Sequence, residues 1–250
     1  MLRTAQANYW VWIARSFPNG VPDAQHRFIT EAQFRLGAHY YFGKGMPQNY
    51  AEAIKWFRLA AEQGLDRAQF VLGTAYQDGR GVPQSYVDAE KWFRLAAGQG
   101  LGDAQIALGL IYSSGQGIPQ NYDEAAKWYR LAADQGLARA EFALGNLYHY
   151  GRGVPQDYRE AAKWYRRAAD QGLDYAQYNL GGMYLLGLGV PKDLVSAQLY
   201  FYLAAERGYE QAMRARDTLE KQMTPEQIAE AQKLAHEWKL KSSTHGQGAL

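Results

Sequence analysis

The sequence repeats itself at a fixed interval. The dipeptide Leu-Gly recurs at Leu36-Gly37, Leu72-Gly73, Leu108-Gly109, Leu144-Gly145 and Leu180-Gly181, each step being 36 residues without an insertion. Pro47, Pro83, Pro119, Pro155 and Pro191 keep the same step, as do Trp56, Trp92, Trp128, Trp164 and then Tyr200. A third column is Ala32, Ala68, Ala104, Ala140, Ala176 and Ala212. A period of this length means one supersecondary unit per repeat. Such a unit cannot bury its apolar face alone and must stack on its neighbours.

Each unit reads as two helices. In residues 31–42, Ala32, Leu36, His39 and Tyr40 fall at i, i+4, i+7 and i+8, the spacing of one helical face. Gly43 stops that helix. A Gly-x-Gly-(Met/Val/Ile)-Pro-Gln-x-Tyr loop follows, in which glycine permits unusual backbone angles and proline forbids continuation of the helix. The second helix, over about 51–62, sets Ala53, Trp56, Phe57, Ala60 and Ala61 on one face, and Gly64 closes it. The predicted fold is all-α, an α-α superhelix (solenoid) of helix-turn-helix repeats. Five repeats occupy residues 31–210.

The flanks differ from the repeats. Residues 1–30 form an N-terminal capping segment: Trp10-Val11-Trp12-Ile13-Ala14 and Ala24-Gln25-His26-Arg27-Phe28 echo the repeat as a degenerate half-repeat, or else dock on a partner or a second copy of the chain. Residues 211–241 read as a C-terminal half-repeat and capping helix. Thr224, Pro225 and Gln227 supply its helix-start signals, and Ile228, Ala231, Ala235 and Trp238 its apolar stripe. The small, polar residues 242–250 read as a disordered tail.

Composition removes whole classes of function. With 27 basic against 25 acidic residues, a net charge of +2 falls far short of a phosphate-neutralising surface. The absence of cysteine excludes disulfides, thiolate metal sites and cysteine nucleophiles. No apolar run approaches the roughly eighteen residues of a membrane helix, so the chain reads as soluble and cytoplasmic, or exported if a signal peptide has been removed.

The block A-x(3)-LG-x-x-Y-x-x-G-x-G-V-P-Q-x-Y-x-x-A-x-K-W-Y/F-R-x-A-A-x-Q-G resembles the Sel-1-like repeat family. Tetratricopeptide repeats share the helix-turn-helix plan, but run at about 34 residues and carry their proline after the second helix, not between the helices. The resemblance implies an adaptor that binds other proteins, with the first helices lining a concave face.

Catalytic readings find little support. The Gly-x-Gly loops lack the third glycine of a dinucleotide fingerprint, Gln48 and Gln156 standing in its place, and have no Gly-Lys-Ser/Thr. The histidines His26, His39, His149, His236 and His245 show no His-x-x-x-His or His-x-x-Glu pairing, so neither a metal nor a cofactor is expected. His39 reads as a packed helix residue.

Comparing the five copies of each position separates core from surface. Columns that stay fixed are core; on the first helices the columns of 31, 35, 38, 41 and 42 vary, and four of them form one stripe. With the first helices on the concave side, the partner-binding stripe comprises Arg35, Tyr41, Phe42, Arg67, Thr74, Gln77, Asp78, Arg139, Asn146, His149, Tyr150, Tyr175, Asn179, Leu185 and Leu186, with Ser113 and Ser114 between them. Aromatics and arginines among small polar residues are what binding hot spots contain. The Lys55, Lys91, Lys127 and Lys163 column and the Arg58, Arg94, Arg130 and Arg166 column instead read as a solvated convex face. Glu52, Asp88, Glu124 and Glu160 stand three residues before each Lys.

The expected function is therefore a non-catalytic protein-protein interaction scaffold that takes a peptide or protein partner on the concave face, with no nucleic-acid partner, no membrane span and self-association conceivable through the aromatic N-terminus. The alternatives are a β-lactam hydrolase-like enzyme, by analogy with cysteine-rich relatives of the family, and a binder of glycan or cell-wall fragments using Tyr41, Tyr150 and Tyr175 as stacking surfaces. Against the enzyme stand the missing cysteines and the lack of a Ser-x-x-Lys motif.

Overall fold

The computed structural model describes the backbone of residues 23–246 and the side chains of residues 27–241. Among these residues there are helices and turns but no strand. The aromatic segment Trp10 to Ala14 and the last residues of the expected tail lie outside the described residues. The chain forms two compact units that meet at Asn121 and Tyr122, a boundary that falls within the third repeat.

The first unit contains α1 (Asp23–Phe42), α2 (Tyr50–Glu62), α3 (Asp66–Asp78), α4 (Tyr86–Gly98) and α5 (Gly102–Ser114). The second contains α6 (Tyr122–Asp134), α7 (Ala138–Tyr150), α8 (Tyr158–Asp170), α9 (Asp174–Leu186), α10 (Leu194–Glu206), α11 (Glu210–Glu220) and α12 (Pro225–Gly246). Within a unit the helices up to α11 each pack on the next in chain order, the packing of an α-solenoid; α12 lies against α10 instead.

Two boundaries differ from the sequence reading. Helix α1 starts at Asp23, so Ala24 to Phe28 are its first turns and not a separate element. Helix α12 runs to Gly246, past the boundary at residue 241. Its capping box is present: Gln227 N–H donates to Thr224 Oγ1 at 3.3 Å, and Thr224 N–H to Gln227 Oε1 at 3.0 Å.

Repetition of the loop has a physical cause. In the second repeat Gly79 caps α3 in the left-handed conformation, at φ 70°, a position that strains any residue with a Cβ. Gly81, two residues on, sits against the preceding repeat, where a Cβ would stand 2.7 Å from the Tyr50 carbonyl. The glutamine after the proline closes the loop in the first four repeats, Lys192 standing in its place in the fifth. Gln48, Gln84, Gln120 and Gln156 each donate from Nε2 at 2.8 Å to a carbonyl in the last turn of the first helix, one of the acceptors a helix end leaves free. Asn49, Ser85, Asp157 and Asp193 then cap the second helices through their side chains.

The Leu-Gly column marks where the two helices of a repeat come closest. A Cβ on Gly73 would lie 2.7 Å from the Phe93 ring, and one on Gly145 would lie 2.6 Å from the Tyr165 ring. In the first unit Phe57, Leu72 and the alanines of α2 and α3 form a fully buried cluster. The second unit's cluster holds Tyr165, Leu180, Met183 and Ala235, with Trp238 packed against it.

Neighbouring repeats are also tied by polar rungs. Arg58 Nη2 donates to Tyr76 Oη at 2.6 Å, Arg94 to Tyr112 and Arg130 to Tyr148, both at 2.5 Å, and Arg166 to Tyr184. This corrects the reading of the arginine column as merely solvated. The lysine column does face water and pairs with acids three residues earlier, as Lys91 does with Asp88 at 3.1 Å.

Candidate functional site

The last turn of each first helix ends on a Gly cap, which leaves the side chain just before the cap with no following turn to cover it. That position holds Phe42, Asp78, Ser114, Tyr150 and Leu186 in the five repeats, all exposed. Phe42 is 61%, Tyr150 59% and Leu186 67% exposed. Large apolar groups so uncovered are unusual, whereas Leu36 and Leu72 of the first-helix leucine column are fully buried.

In the first unit the expected residues fall into two groups. Glu31 takes both arginines, Arg35 at 2.9 Å and Arg67 at 2.7 Å, and the Arg67 guanidinium also lies 5.2 Å from the Phe34 ring. Both guanidinium groups therefore have a partner within the fold, and the trio keeps one net positive charge. At the other end of α1, Tyr41 meets Phe42 and Tyr50 edge-on, each at 5.0 Å between centroids, and accepts a hydrogen bond from Arg80 at 3.0 Å. Tyr41, Phe42, Tyr50 and Arg80 thus form one aromatic surface with a cation on it. Lys44 lies over Phe42 at 5.3 Å. Thr74 spends its hydroxyl on the Phe70 carbonyl, Asp78 pairs with Arg80 at 3.4 Å, and Gln77 is half-buried. Ser113 and Ser114 donate to carbonyls of their own helix. His39 Nδ1 lies 2.6 Å from the Lys44 carbonyl, which fits the packed reading.

The second unit brings more of the stripe together. Along α7 run Phe142, Asn146 and Tyr150 at intervals of four, and along α9 run Tyr175 and Asn179. The two rows touch: Phe142 and Tyr175 rings lie 5.9 Å apart, and Asn179 Nδ2 is 3.5 Å from Asn146 Oδ1. Beneath them, the Tyr165 hydroxyl donates to Asn146 Oδ1 at 2.7 Å. Burial raises the Tyr165 phenol above its ordinary value, so it is a proton donor throughout the physiological range. His149 packs against Tyr150, Tyr158 and Tyr165, with its Nδ1 buried and unpartnered; burial lowers its pKa and favours the neutral ring.

Three expected residues stand apart from that cluster. Leu186 is exposed at the end of α9, and Arg139 is exposed at the start of α7. Leu185 is half-buried, packing with Tyr178, Phe201 and Leu219, the last of these on α11. With Tyr178 and residues of α11 it lines a pocket of about 360 Å³. Sequence reasoning did not single out Tyr165, whose column begins with the core residue Phe57; the signal was the change from Phe57 and Phe93 to Tyr129 and Tyr165 within that column.

Among the described residues no helix is long and apolar enough to cross a membrane, and no group of three or more His, Asp or Glu side chains could hold a metal ion.

Comparison with known proteins agrees with this architecture. No curated protein sequence matches the chain. Among solved structures, a Sel1 repeat protein from Oxalobacter formigenes is 32% identical, with a TM-score of 0.75, over 93% of this chain and 98% of that one. A protective antigen of uropathogenic Escherichia coli, c5321, described as displaying an SLR fold, is 28% identical with a TM-score of 0.55. That match covers 98% of this chain, which spans 63% of the antigen's length. The Sel1 repeat model matches five consecutive times, at residues 30–65, 66–101, 102–137, 138–173 and 174–209, so the chain belongs to the Sel1 repeat family.

Proposed function

We propose that the protein is a non-catalytic interaction scaffold that holds a peptide or protein partner on the face formed by its first helices. The observation that carries this reading is the exposure of Phe42 in the first unit and of Tyr150 and Leu186 in the second, at one repeat position where the packed core makes no demand. Tyr175, 47% exposed on α9, extends the same surface. Family membership supports a scaffold, and the polar groups beside these residues already have structural partners within the fold, as Arg35, Arg67 and Thr74 do. Among the described residues, no nucleophile paired with an adjacent base is found on this face.

The test is affinity capture from native lysate by the wild type, by a variant carrying Phe42→Glu, Tyr150→Glu and Leu186→Glu, and by a control carrying Lys91→Glu and Lys127→Glu on the second helices. Circular dichroism establishes equal helicity. Partners held by wild type and control and lost by the first variant support the reading. Partners lost only by the control place binding on the second-helix face and overturn it.

A further inference from the structure

The amides of Asn146 and Asn179 are a polar feature of the second unit's first-helix face that packing does not account for. Elsewhere their columns hold groups that ask nothing of a ligand. The Asn146 column carries Ala38, Thr74, Leu110 and Gly182, and the Asn179 column carries Arg35, Val71, Ala107 and Ala143. Here two primary amides from adjacent repeats meet over a buried phenol.

Counting hydrogen-bond capacity shows what is left over. A primary amide has two N–H donors and two acceptor lone pairs. Asn146 Oδ1 accepts from Tyr165 at 2.7 Å and from Asn179 at 3.5 Å. The Asn146 N–H groups and the Asn179 oxygen have no hydrogen-bond partner among the described residues, and neither side chain is fully buried. An amide nitrogen with donors to spare therefore stands beside an amide oxygen with acceptor capacity to spare.

We infer that Asn146 and Asn179 bind the main chain of an extended peptide, one amide donating to a peptide C=O and the other accepting from a peptide N–H. This inference rests on the scaffold reading above and specifies its ligand. The spacing of the flanking aromatics agrees. Tyr150 is one helical turn beyond Asn146, and Tyr175 one turn before Asn179, which places each about 6 Å along its helix from the amides. Same-face side chains of an extended strand recur every two residues, about 6.6 Å. A strand held at its centre by the two asparagines thus sets side chains against Tyr175 and Phe142 at one end and Tyr150 at the other. A sugar is the competing ligand for tyrosines beside amides, but it needs a free ring face. The Arg152 guanidinium lies over Tyr150 at 5.2 Å, and Tyr175 is packed between Phe142 and Tyr209.

The experiment uses the full chain and a random dodecapeptide display library. Selected peptides are synthesised, and their affinities measured for the wild type, Asn146→Thr, Asn179→Ala and Tyr150→Glu; Thr and Ala occupy those asparagine columns in other repeats, so the fold tolerates them. Each peptide is also made with single amide-to-ester replacements, which remove one N–H donor at a time. The inference expects each asparagine variant to weaken binding by about tenfold. It further expects one ester position to weaken binding to the wild type and to have no added effect in Asn179→Ala. Peptides that lose affinity for Tyr150→Glu while the asparagine variants and all esters bind as the wild type overturn this inference and leave the scaffold reading standing. Failure to select any peptide, or displacement of the selected peptides by N-acetylglucosamine oligomers, overturns both.

Discussion

Glu141 and Arg167 are two departures from the repeat that make sense only together. Glu141 stands in the column of Gln33, Gln69, Gln105 and Gln177, and Arg167 in the column of Leu59, Leu95, Leu131 and Leu203. The Glu141 side chain is 1% exposed and pairs with Arg167 at 2.8 Å, while Gln171 Nε2 donates to its second oxygen at 2.8 Å. Arg167 also donates to the Ala133 carbonyl and lies over the Trp164 ring. Breaking such a pair from one side leaves a buried charge, whereas replacing both sides need not be costly. Arg167→Leu is therefore expected to destabilise by about 3 kcal/mol, and Arg167→Leu with Glu141→Gln, which restores the pattern of the other repeats, to lie within about 1 kcal/mol of the wild type in urea titrations. The pH dependence has a definite sign. Burial pushes the Glu141 carboxyl above its ordinary value even with Arg167 pulling it down, and loss of Arg167 raises it further. The native state then holds a proton that the unfolded state has released. Stability of Arg167→Leu should fall as pH rises above the ordinary carboxylate range and recover on acidification. Equal loss at every pH would show that the charge at Glu141 is not the cause.

At the scale of the helix, the same residue type has opposite effects according to what its face meets. Gly145 in α7 packs under the Tyr165 ring, where a Cβ would stand at 2.6 Å, while Gly182 in α9 has no atom within 4 Å of that position. Alanine at Gly182 gains helix propensity without a clash and should stabilise by about 0.5–1 kcal/mol. Alanine at Gly145 forces the ring or the helix to move and should cost about 1–3 kcal/mol. Thermal melts of the two variants decide the matter; stabilisation by both would mean that the Leu-Gly column does not set the helix separation. Sequence alone identified that column, the loop glycines and the helix periods, because five internal copies do the work of an alignment. It could not see what each column touches. The Arg58 column looked solvated since its tyrosine partners lie eighteen residues away in the next repeat. Column variation marked Thr74, Arg35 and Asn146 alike as free for function, although Thr74 and Arg35 have intramolecular partners and the Asn146 N–H groups have none among the described residues. Helix α1 was read as beginning at residue 31 because the repeat comparison begins there, and nothing in a period announces that a helix continues backward to Asp23.

At the scale of the whole chain, stability is a sum of repeats and their nearest-neighbour interfaces, so a lesion at one end should remain local. Helix α12 supplies the test. Its Ala231 and Ala235 are fully buried, Trp238 packs on the same cluster as Tyr200 and Leu203, and Lys239 pairs with Glu206 of α10 at 2.7 Å. A chain ending at Met223 lacks all of these and exposes the apolar face of α10. Hydrogen exchange should then quicken in α10 and α11 first and fade through α9, with amides of α2, α3 and α4 exchanging as in the intact protein. A uniform increase across both units would mean that the chain opens as one cooperative body, and the nearest-neighbour picture would fail. The gradient also bears on recognition. Asn179 and Tyr175 are on α9, one helix before α10, whereas Phe42 and Tyr41 are on α1 in the other unit. Loss of α12 should therefore weaken a ligand held by the asparagine pair, through the entropy of reordering α9, and leave a contact made by the Tyr41 and Phe42 surface unchanged.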